Sequence, residues 1–560
     1  MTARPVHWMR IMKRVVTAAA LLLTGSLVAC SSAGSDAGGT GTEPTLEITS
    51  PVRGSFSEQE SVVVTGKVSP SSARVTVNGL DIVPSTDGSF SAAVTLGSGL
   101  GFVETHAIVG SKDIRDVRAV LAGSVTATDG TVVAPVAARA DAAALKAIGK
   151  AIGNTAEHID FNAAVMAMNP VYNNTGCLGA VVDVTSVSMS NIDVALVPLT
   201  GSLDTKVTLD NVVVKAHVHF RAACIGGNTD VTLKSTHAHI DGNLAVALAS
   251  GAIKTALPAA AVTLDGFTVD ASGIPGVIED LLKSSVKNAV ANALTSVIKA
   301  KVPALADSTL AGLVSRPLSP MLFGHAVSLS LQPSSLTLSP TGLYVAVDTK
   351  IVVAGGEGGM FISTPSDASP SMMQGSGLSI ALAANVANQM FSGLWATGAI
   401  DQTVPASAIG PGAAFLDDDV ATLDIHLSLP PMVTATGNDL TLAIGDLIMT
   451  GRDTAGHEVQ TIALSVKSTL AAAPGSDGKI VLTMGTPDIR AQVLLQSEAV
   501  DNKLSGSDFE GVISGAWGFI TPMANEALGK LPMPTLAGVQ IGTPSLAGQG
   551  GFVVAAMPLN

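Results

Sequence analysis

The chain has 560 residues, of which 47% are hydrophobic, 3% aromatic and 13% charged, and its formal net charge is −14. This length exceeds what a single hydrophobic core supports, so several domains are expected. The acidic balance disfavours nucleic acid and anionic membrane surfaces as direct partners, and the few aromatic side chains disfavour a platform on which bases or sugars stack.

The N-terminal 30 residues have the pattern of an export signal. Basic residues precede a mainly apolar run at 15–28, which ends in LVAC at positions 27–30. The segment resembles a bacterial lipoprotein signal with its lipobox. The resemblance implies a signal peptide at 1–29, cleavage before Cys30 and acylation of the Cys30 thiol. An ordinary secretory signal is the alternative.

The residues after the cysteine predict where the protein is held. Ser31 does not retain a lipoprotein at the inner membrane in enteric-type bacteria, so we expect a lipid-anchored protein of the bacterial cell envelope, at the outer membrane. Each buried acyl methylene contributes about 0.8 kcal/mol, so two or three chains anchor the protein stably. Residues 30–45 are rich in Ser, Gly, Ala and Thr and predict a flexible tether.

Residues 46–123 predict a β-sandwich. Runs rich in Val and Thr at 62–68, 73–79 and 89–96 are separated by turn signals such as Asn78-Gly79. Short strands at this spacing are typical of a sandwich. The segment resembles the Ig-like modules of extracytoplasmic bacterial proteins, which are spacers or adhesive units, and we expect a spacer here.

The next segment has the order helix, antiparallel strands, helix. An Ala-rich run at 137–148 predicts the first helix, and residues 211–224 alternate between apolar and polar as a strand does. An amphipathic helix is predicted at 274–302, with Pro303 as its stop. Its apolar pairs recur every four residues, so its apolar stripe winds around the helix, which suits a helix held inside a strongly curled sheet.

The second half of the chain repeats this order. A helix is predicted at 378–397, followed by a closing helix at 509–528. The strands between them are predicted at 423–429, 439–449, 460–471, 479–483 and 489–495. The result is an internal repeat of roughly 200 residues. Each sheet has an apolar face that must be buried, and the helices have the right length to cover it.

Three segments carry a resemblance to a known family. They are 378–400, ending in GLWATGAI, the sequence LSLPP at 427–431, and the C-terminal run from WGFITPMANEAL at 517–528 through LPMPTL at 531–536. In this order they resemble the two-barrel TULIP lipid-binding proteins, of the bactericidal/permeability-increasing and lipopolysaccharide-binding kind.

That resemblance implies an α+β fold. The N-terminal Ig-like β-sandwich would be followed by two tandem TULIP barrels, at 124–325 and 326–560, each a long helix wrapped by a curled antiparallel sheet. It also implies that lipid acyl chains, as of phospholipids, bind between helix and sheet. No Lys/Arg cluster lies in the first barrel segment, so neutral or zwitterionic lipid is favoured over anionic lipid A.

Two sets of residues follow as candidates. Cys177 and Cys224 remain once Cys30 is lipidated, and in a compartment that permits disulfides we expect them to pair; two free thiols are the alternative. Such a pair would be the counterpart of the one disulfide in the family's first barrel. The candidate lipid-lining residues are Val277, Ile278, Leu281, Leu282, Val286, Val290, Leu294, Val297 and Ile298. Plain core packing is the alternative for them.

Other motifs are weaker. The pairs His217/His219 and His237/His239 could hold zinc, but an exposed polar sheet face explains them better. Residues 417–419, three aspartates, fit a solvated loop better than a calcium site. We find no nucleophile elbow and no phosphate-binding loop, and expect neither enzyme activity nor a cofactor.

We therefore expect a lipid-anchored envelope protein that binds, and in one use transfers, lipid acyl chains. The alternative is a structural or adhesive surface lipoprotein whose barrels are scaffold.

Overall fold

The structure is a computed structural model. It describes residues 44–271, 283, 287–312, 321–364, 373, 376–407, 416–436, 439–474, 480–498, 500, 503–511, 513–514, 530–531, 542, 545–549 and 551–559. The predicted signal peptide, Cys30 and nearly all of the tether lie outside these residues.

An N-terminal module folds as two small sheets that share one core. The three-stranded sheet contains Thr45–Ser50, Ser61–Ser69 and Ser89–Thr95. The five-stranded sheet contains Ser55–Ser57, Lys112–Ala122, Gly99–Val109, Arg74–Val77 and Leu80–Ile82. Val64 and Val75, one from each sheet, are fully buried in the shared core. The predicted turn at Asn78-Gly79 is confirmed, and both residues have the positive φ that a tight hairpin needs.

The first half of the remaining chain is a helix–sheet–helix unit, here called the N-unit. Its helices are α1 (Ala142–Ala156), α2 (Phe161–Met166) and α3 (Lys287–Ala311). Its sheet, the N-sheet, consists of Tyr172–Asn173, Gly179–Ser188, Asn191–Leu199, Ser202–Ala222, Ile225–Ala249, Ala252–Ala256, Ala260–Asp265 and Thr268–Asp270. Its two longest strands pair along their whole length.

The second half has the same order and is here called the C-unit. It opens with helix α4 (Ala384–Ala396), and residues 506–511 and 513–514 are helical near its end. Its sheet, the C-sheet, consists of Gln402–Pro405, Thr422–Leu427, Met432–Thr436, Asp439–Arg452, Glu458–Pro474, Ile480–Gln496 and Lys530–Leu531. The strands predicted at 479–483 and 489–495 are one continuous strand. Most of the predicted closing helix, 515–528, lies outside the described residues.

A central sheet joins the two units. In order across the sheet, its strands are Met321–Leu322, His325–Ser339, Gly342–Val353, Val132–Ala140, Leu378–Ala383, Phe552–Met557 and Ser545–Gln549. The two strands that lead into α1 and α4 pair antiparallel, with Ala138 opposite Ile380. On its other side, Val132–Ala140 pairs with Gly342–Val353, which follows the N-unit in the chain. Leu378–Ala383 likewise pairs with Phe552–Met557, which follows the C-unit. This symmetric arrangement agrees with the predicted internal repeat.

Two predicted helix starts were wrong. Residues 137–140, the Ala-rich start of the first predicted helix, and residues 378–383, the start of the second, belong to the strands Val132–Ala140 and Leu378–Ala383. Backbone pairing on both sides of each strand overrides the helix propensity of the sequence. Asp141 then starts α1, because its carboxylate accepts a hydrogen bond from the Ala144 amide at 2.8 Å.

The predicted stop at Pro303 was also wrong, because α3 continues to Ala311. Val302, Ala306 and Leu310, on either side of the proline, are at most 1% exposed in the core of the N-unit. Tertiary packing there outweighs the hydrogen bond that a proline removes.

The N-terminal β domain thus matches its prediction. The rest of the chain is two helix–sheet–helix units on one central sheet. Closure of each sheet into a barrel stays a prediction.

Candidate functional site

The interior of the N-unit is built by the two longest strands. Their side chains alternate between polar on the outer face and aliphatic on the inner face. The inner aliphatic side chains, each at most 2% exposed, are Leu203, Val207, Leu209, Val212, Val214, Ala216, Val218, Val231, Leu233, Ala238, Ile240 and Leu244. Two hydroxyls lie among them: Thr205 Oγ1 donates to the Leu203 carbonyl at 3.1 Å, and Ser235 Oγ lies 2.8 Å from both the His237 and the Asp265 carbonyl oxygens. The sheet therefore presents an aliphatic wall.

Two helices cover this wall. Leu145, Ile148 and Ile152 of α1 are fully buried against it. From α3 the predicted lining residues Val290, Leu294, Val297 and Ile298 are at most 4% exposed and belong to the same core. That these residues line a lipid cavity stays a prediction. The other predicted lining residues, Val277, Ile278, Leu281, Leu282 and Val286, lie outside the described residues.

Helix α1 lies unusually close to the strand Asn191–Leu199. A Cβ atom added at Gly149 would lie 2.4 Å from the Val194 carbonyl oxygen, and one at Gly153 would lie 2.5 Å from the Ile192 carbonyl oxygen. Only glycine allows this approach, so the two glycines determine how closely the helix packs on the sheet. The sequence pattern did not predict this role, although Gly149 and Gly153 are visibly four residues apart.

The two interiors meet on one strand of the central sheet. In Gly342–Val353, Val345 and Val347 belong to the core of the N-unit, whereas Ile351 and Val353 belong to the core of the C-unit. Thr349 lies between them, and its buried hydroxyl has no hydrogen-bond partner among the described residues. One apolar sheet face thus runs beneath both units.

The described interior of the C-unit is also apolar but less completely buried. Leu394 of α4 is fully buried with Ile462, Leu464 and Ile489 of the C-sheet. Trp395 is half-buried beside them, and its indole Nε1 donates to the Leu427 carbonyl at 2.7 Å. A half-buried apolar lining of this kind is a candidate surface for a ligand.

The disulfide between Cys177 and Cys224 is confirmed. It ties the segment before strand Gly179–Ser188 to the turn between the two longest strands, and the Cys224 amide donates to the Cys177 carbonyl at 3.1 Å. A shallow cleft of about 530 Å³ lies beside it, lined by polar residues such as Asn174, His219 and Arg221. This cleft lies at the end of the hairpin and not in the apolar interior.

The histidine pairs lie on the outer face of the N-sheet, as the polar interpretation predicts. Three of these four histidines are each paired with a carboxylate: His217 with Asp230 at 2.7 Å, His237 with Asp210 at 2.9 Å, and His239 with Asp265 at 3.3 Å. Hydrogen bonds from Asn191, and then from His237, lower the pKa of Asp210.

Among the residues that the structure describes, no group of three or more His, Cys, Asp or Glu side chains is arranged to hold a metal ion. Zinc at the histidines and calcium near residues 417–419 therefore gain no support. In that loop, Asp417 instead accepts a hydrogen bond from the Asp419 amide at 3.1 Å.

The contact between the N-terminal module and the C-unit was not predicted. Asp446 of the C-sheet is 1% exposed, and its carboxylate pairs with Arg53 at 3.0 Å and accepts from the Ala119 amide at 3.2 Å. Burial raises the pKa of Asp446, and the nearby Arg53 opposes that rise. Apolar residues of both partners surround the contact: Leu100, Ala119, Leu121, Leu429, Met432 and Ala443. The module is therefore docked on the C-unit and is not a free spacer.

Within the described part of the chain, none of the helices has the length and hydropathy needed to cross a bilayer.

Comparison with known proteins gives one family match, over residues 44–122, to the model for glucodextranase domain B. This match covers the N-terminal module. No curated protein is significantly similar to the chain.

Among solved structures, the crystal structure of lipopolysaccharide binding protein is 13% identical, with a TM-score of 0.42, over 77% of this chain and 99% of that one. P47 from Clostridium botulinum A2 is 11% identical, with a TM-score of 0.27, over 77% and 97%. Latherin, a solution structure, is 14% identical, with a TM-score of 0.20, over 31% and 86%.

Proposed function

We propose that the protein binds lipid acyl chains in the apolar interiors of its N-unit and C-unit. In this proposal the two units are the two barrels of a TULIP architecture. The observation that carries this proposal is the aliphatic inner wall of the two longest strands, facing α1 and α3. Burial of an acyl chain there supplies affinity at about 25 cal/mol per Å² of apolar area, with little polar specificity.

The charge of the interior favours neutral or zwitterionic lipid. Among the described residues of the N-unit, none of the buried side chains is charged. The chain as a whole is acidic, with a formal net charge of −14. An anionic headgroup would meet like charge at the surface and find no buried cation in this interior. A phospholipid with a zwitterionic headgroup fits both conditions.

We further propose that this activity belongs to the bacterial cell envelope, which the lipobox-like sequence LVAC at 27–30 supports. A lipid anchor at Cys30 would hold the chain at the outer membrane, and residues 30–45 would give it reach from the bilayer surface. Transfer of lipid between membranes is one use of such a protein, and storage or sensing of lipid is another.

One pair of variants tests the interior of the N-unit. Ala293→Leu adds volume at a position that is 6% exposed on the inner face of α3, whereas Ala300→Leu makes the same change on its exposed face. We expect Ala293→Leu to remove the share of fluorescent phosphatidylcholine that the N-unit binds, so that fewer molecules bind per chain, and Ala300→Leu to leave the number bound unchanged, with circular dichroism confirming that both fold. Equal binding by the two variants would remove the N-unit interior as the site.

The second candidate is a scaffold with no ligand. It is favoured by the complete burial of Leu145, Ile148 and Leu203 against protein alone, which leaves these side chains no need of a ligand. On this account neither the parent chain nor any variant binds phosphatidylcholine, and the N-terminal module is the working part.

A further inference from the structure

The N-terminal module contacts the helical segment 506–511 of the C-unit through one arginine. The guanidinium of Arg115 pairs with both carboxylate oxygens of Glu510, in the helical segment 506–511, and Nη1 lies 3.3 Å from Oε2. Arg115 Nη2 also donates to the Ala491 carbonyl of the C-sheet at 3.1 Å. Glu510 in turn accepts from the Ala491 amide at 2.8 Å. The Arg115 side chain thus joins segment 506–511 to the C-sheet.

The module also contacts the other elements of the C-unit. The Phe56 ring lies 6.3 Å from the Trp395 ring of α4. The Val117 amide donates to the Gln492 side chain of the C-sheet at 3.1 Å. Helix α4, the C-sheet and segment 506–511 are therefore all contacted by the N-terminal module.

The helix held by Arg115 covers the apolar interior. Phe509, next to Glu510, is 4% exposed and belongs to the same core as Leu394, Ile462 and Ile489. Movement of segment 506–511 away from the C-sheet would withdraw Phe509 and uncover those residues. The Arg115–Glu510 pair resists this movement, and with side chains only 17% and 16% exposed it is less screened by water than a surface pair.

We propose that the N-terminal module is a latch that keeps the C-unit closed over its lipid-binding interior. The latch rests on the proposed function. Release of Arg115 from Glu510 frees segment 506–511, and an acyl chain then enters between that segment and the C-sheet. Because the latch acts on opening and not on the bound state, it sets the rate of lipid uptake while leaving the amount bound at equilibrium unchanged.

The chain itself supplies a reporter for the C-unit. Trp8, Trp395 and Trp517 are its three tryptophans, and the chain that begins at Ser31 keeps the last two, both within the C-unit sequence. Energy transfer from tryptophan to a parinaroyl phosphatidylcholine, delivered in phosphatidylcholine vesicles, therefore reports entry of lipid into the C-unit. Stopped-flow mixing gives the rate of uptake and the final signal gives its extent.

Three substitutions test the latch. Arg115→Gln and Glu510→Gln should each raise the uptake rate at least threefold with the final signal unchanged, and the double variant should be no faster than either. Arg74→Gln is the matched control, because Arg74 pairs with Asp81 of the same module and both side chains are 63% exposed. It should match the parent chain.

The two proposals fail differently. If Arg115→Gln takes up lipid at the parent rate, the latch is overturned while lipid binding stands. If the parent and all variants give no energy transfer, lipid binding in the C-unit is contradicted and the latch falls with it. Circular dichroism of each variant separates faster uptake from loss of fold.

Discussion

The close approach of α1 to the N-sheet makes Gly149→Ala a sharp test of the packing described above. The new Cβ would lie 2.4 Å from the Val194 carbonyl oxygen, and real Cβ atoms stay beyond 3.0 Å, so α1 must retreat by about 0.6 Å, the difference between these distances. The clashing atom belongs to the backbone and cannot rotate away. The retreat also loosens Ile148 and Ile152, which are fully buried on the same helix.

Two opposing effects set the magnitude. Overpacking against a backbone atom that cannot move aside lies in the upper part of the usual range, at about 2–3 kcal/mol, and Ala in place of Gly returns about 1 kcal/mol through helix propensity. We expect a net loss of about 1–2 kcal/mol in the free energy of unfolding of the N-unit. For a unit of this size the loss lowers the melting temperature by about 2–8 °C.

Differential scanning calorimetry measures that shift, and hydrogen exchange of peptides from α1 assigns it to the N-unit. Gly511→Ala is the matched control, because Gly511 is helical and no atom of the described residues lies within 4 Å of an added Cβ. It should be neutral or stabilising. A melting temperature for Gly149→Ala at or above that of the parent would refute the close packing of α1.

Three further predictions concern other parts of the chain. Because burial raises the pKa of Asp446 above its unfolded value, its ionised form opposes folding, and its stabilising contribution grows as the pH falls through the folded-state pKa. Thermal unfolding between pH 7 and pH 4 should therefore show the parent gaining stability relative to Asp446→Asn, and parallel curves would disprove this. Replacing Cys177 and Cys224 by Ser should cost about 4 kcal/mol in loop-closure entropy, since they are 47 residues apart, and a denaturant midpoint equal to the parent's would contradict that value. Leu294→Ala, at a site 1% exposed, should lower the free energy of unfolding by about 2–5 kcal/mol, while Ser296→Ala on the exposed face should lower it by under about 0.5 kcal/mol. Equal denaturant midpoints for the two variants would show that Leu294 is not a core residue.

Local patterns predicted the elements whose structure is set by nearby residues. Asn78-Gly79 predicted its hairpin because both positions need positive φ, and the alternation in 211–224 identified the inner and outer faces of a long strand. Cys177 and Cys224 could be paired because few other cysteines compete for them.

Long-range contacts were beyond the reach of sequence patterns. Residues 132–140 look helical by composition, yet they pair with strands more than 200 residues further along the chain. Arg53 and Asp446 are 393 residues apart, and nothing near either one in the sequence identifies the other. The docking of the module, and with it the latch, could be found only in the folded structure.

Lipid binding in the two interiors is tested most directly by native mass spectrometry of the chain beginning at Ser31, followed by organic extraction and lipid analysis. We expect a stoichiometric mass increment that extraction identifies as a neutral or zwitterionic acyl lipid. A mass equal to that of the protein alone, unchanged after incubation with phosphatidylcholine vesicles, would contradict lipid binding and favour the scaffold.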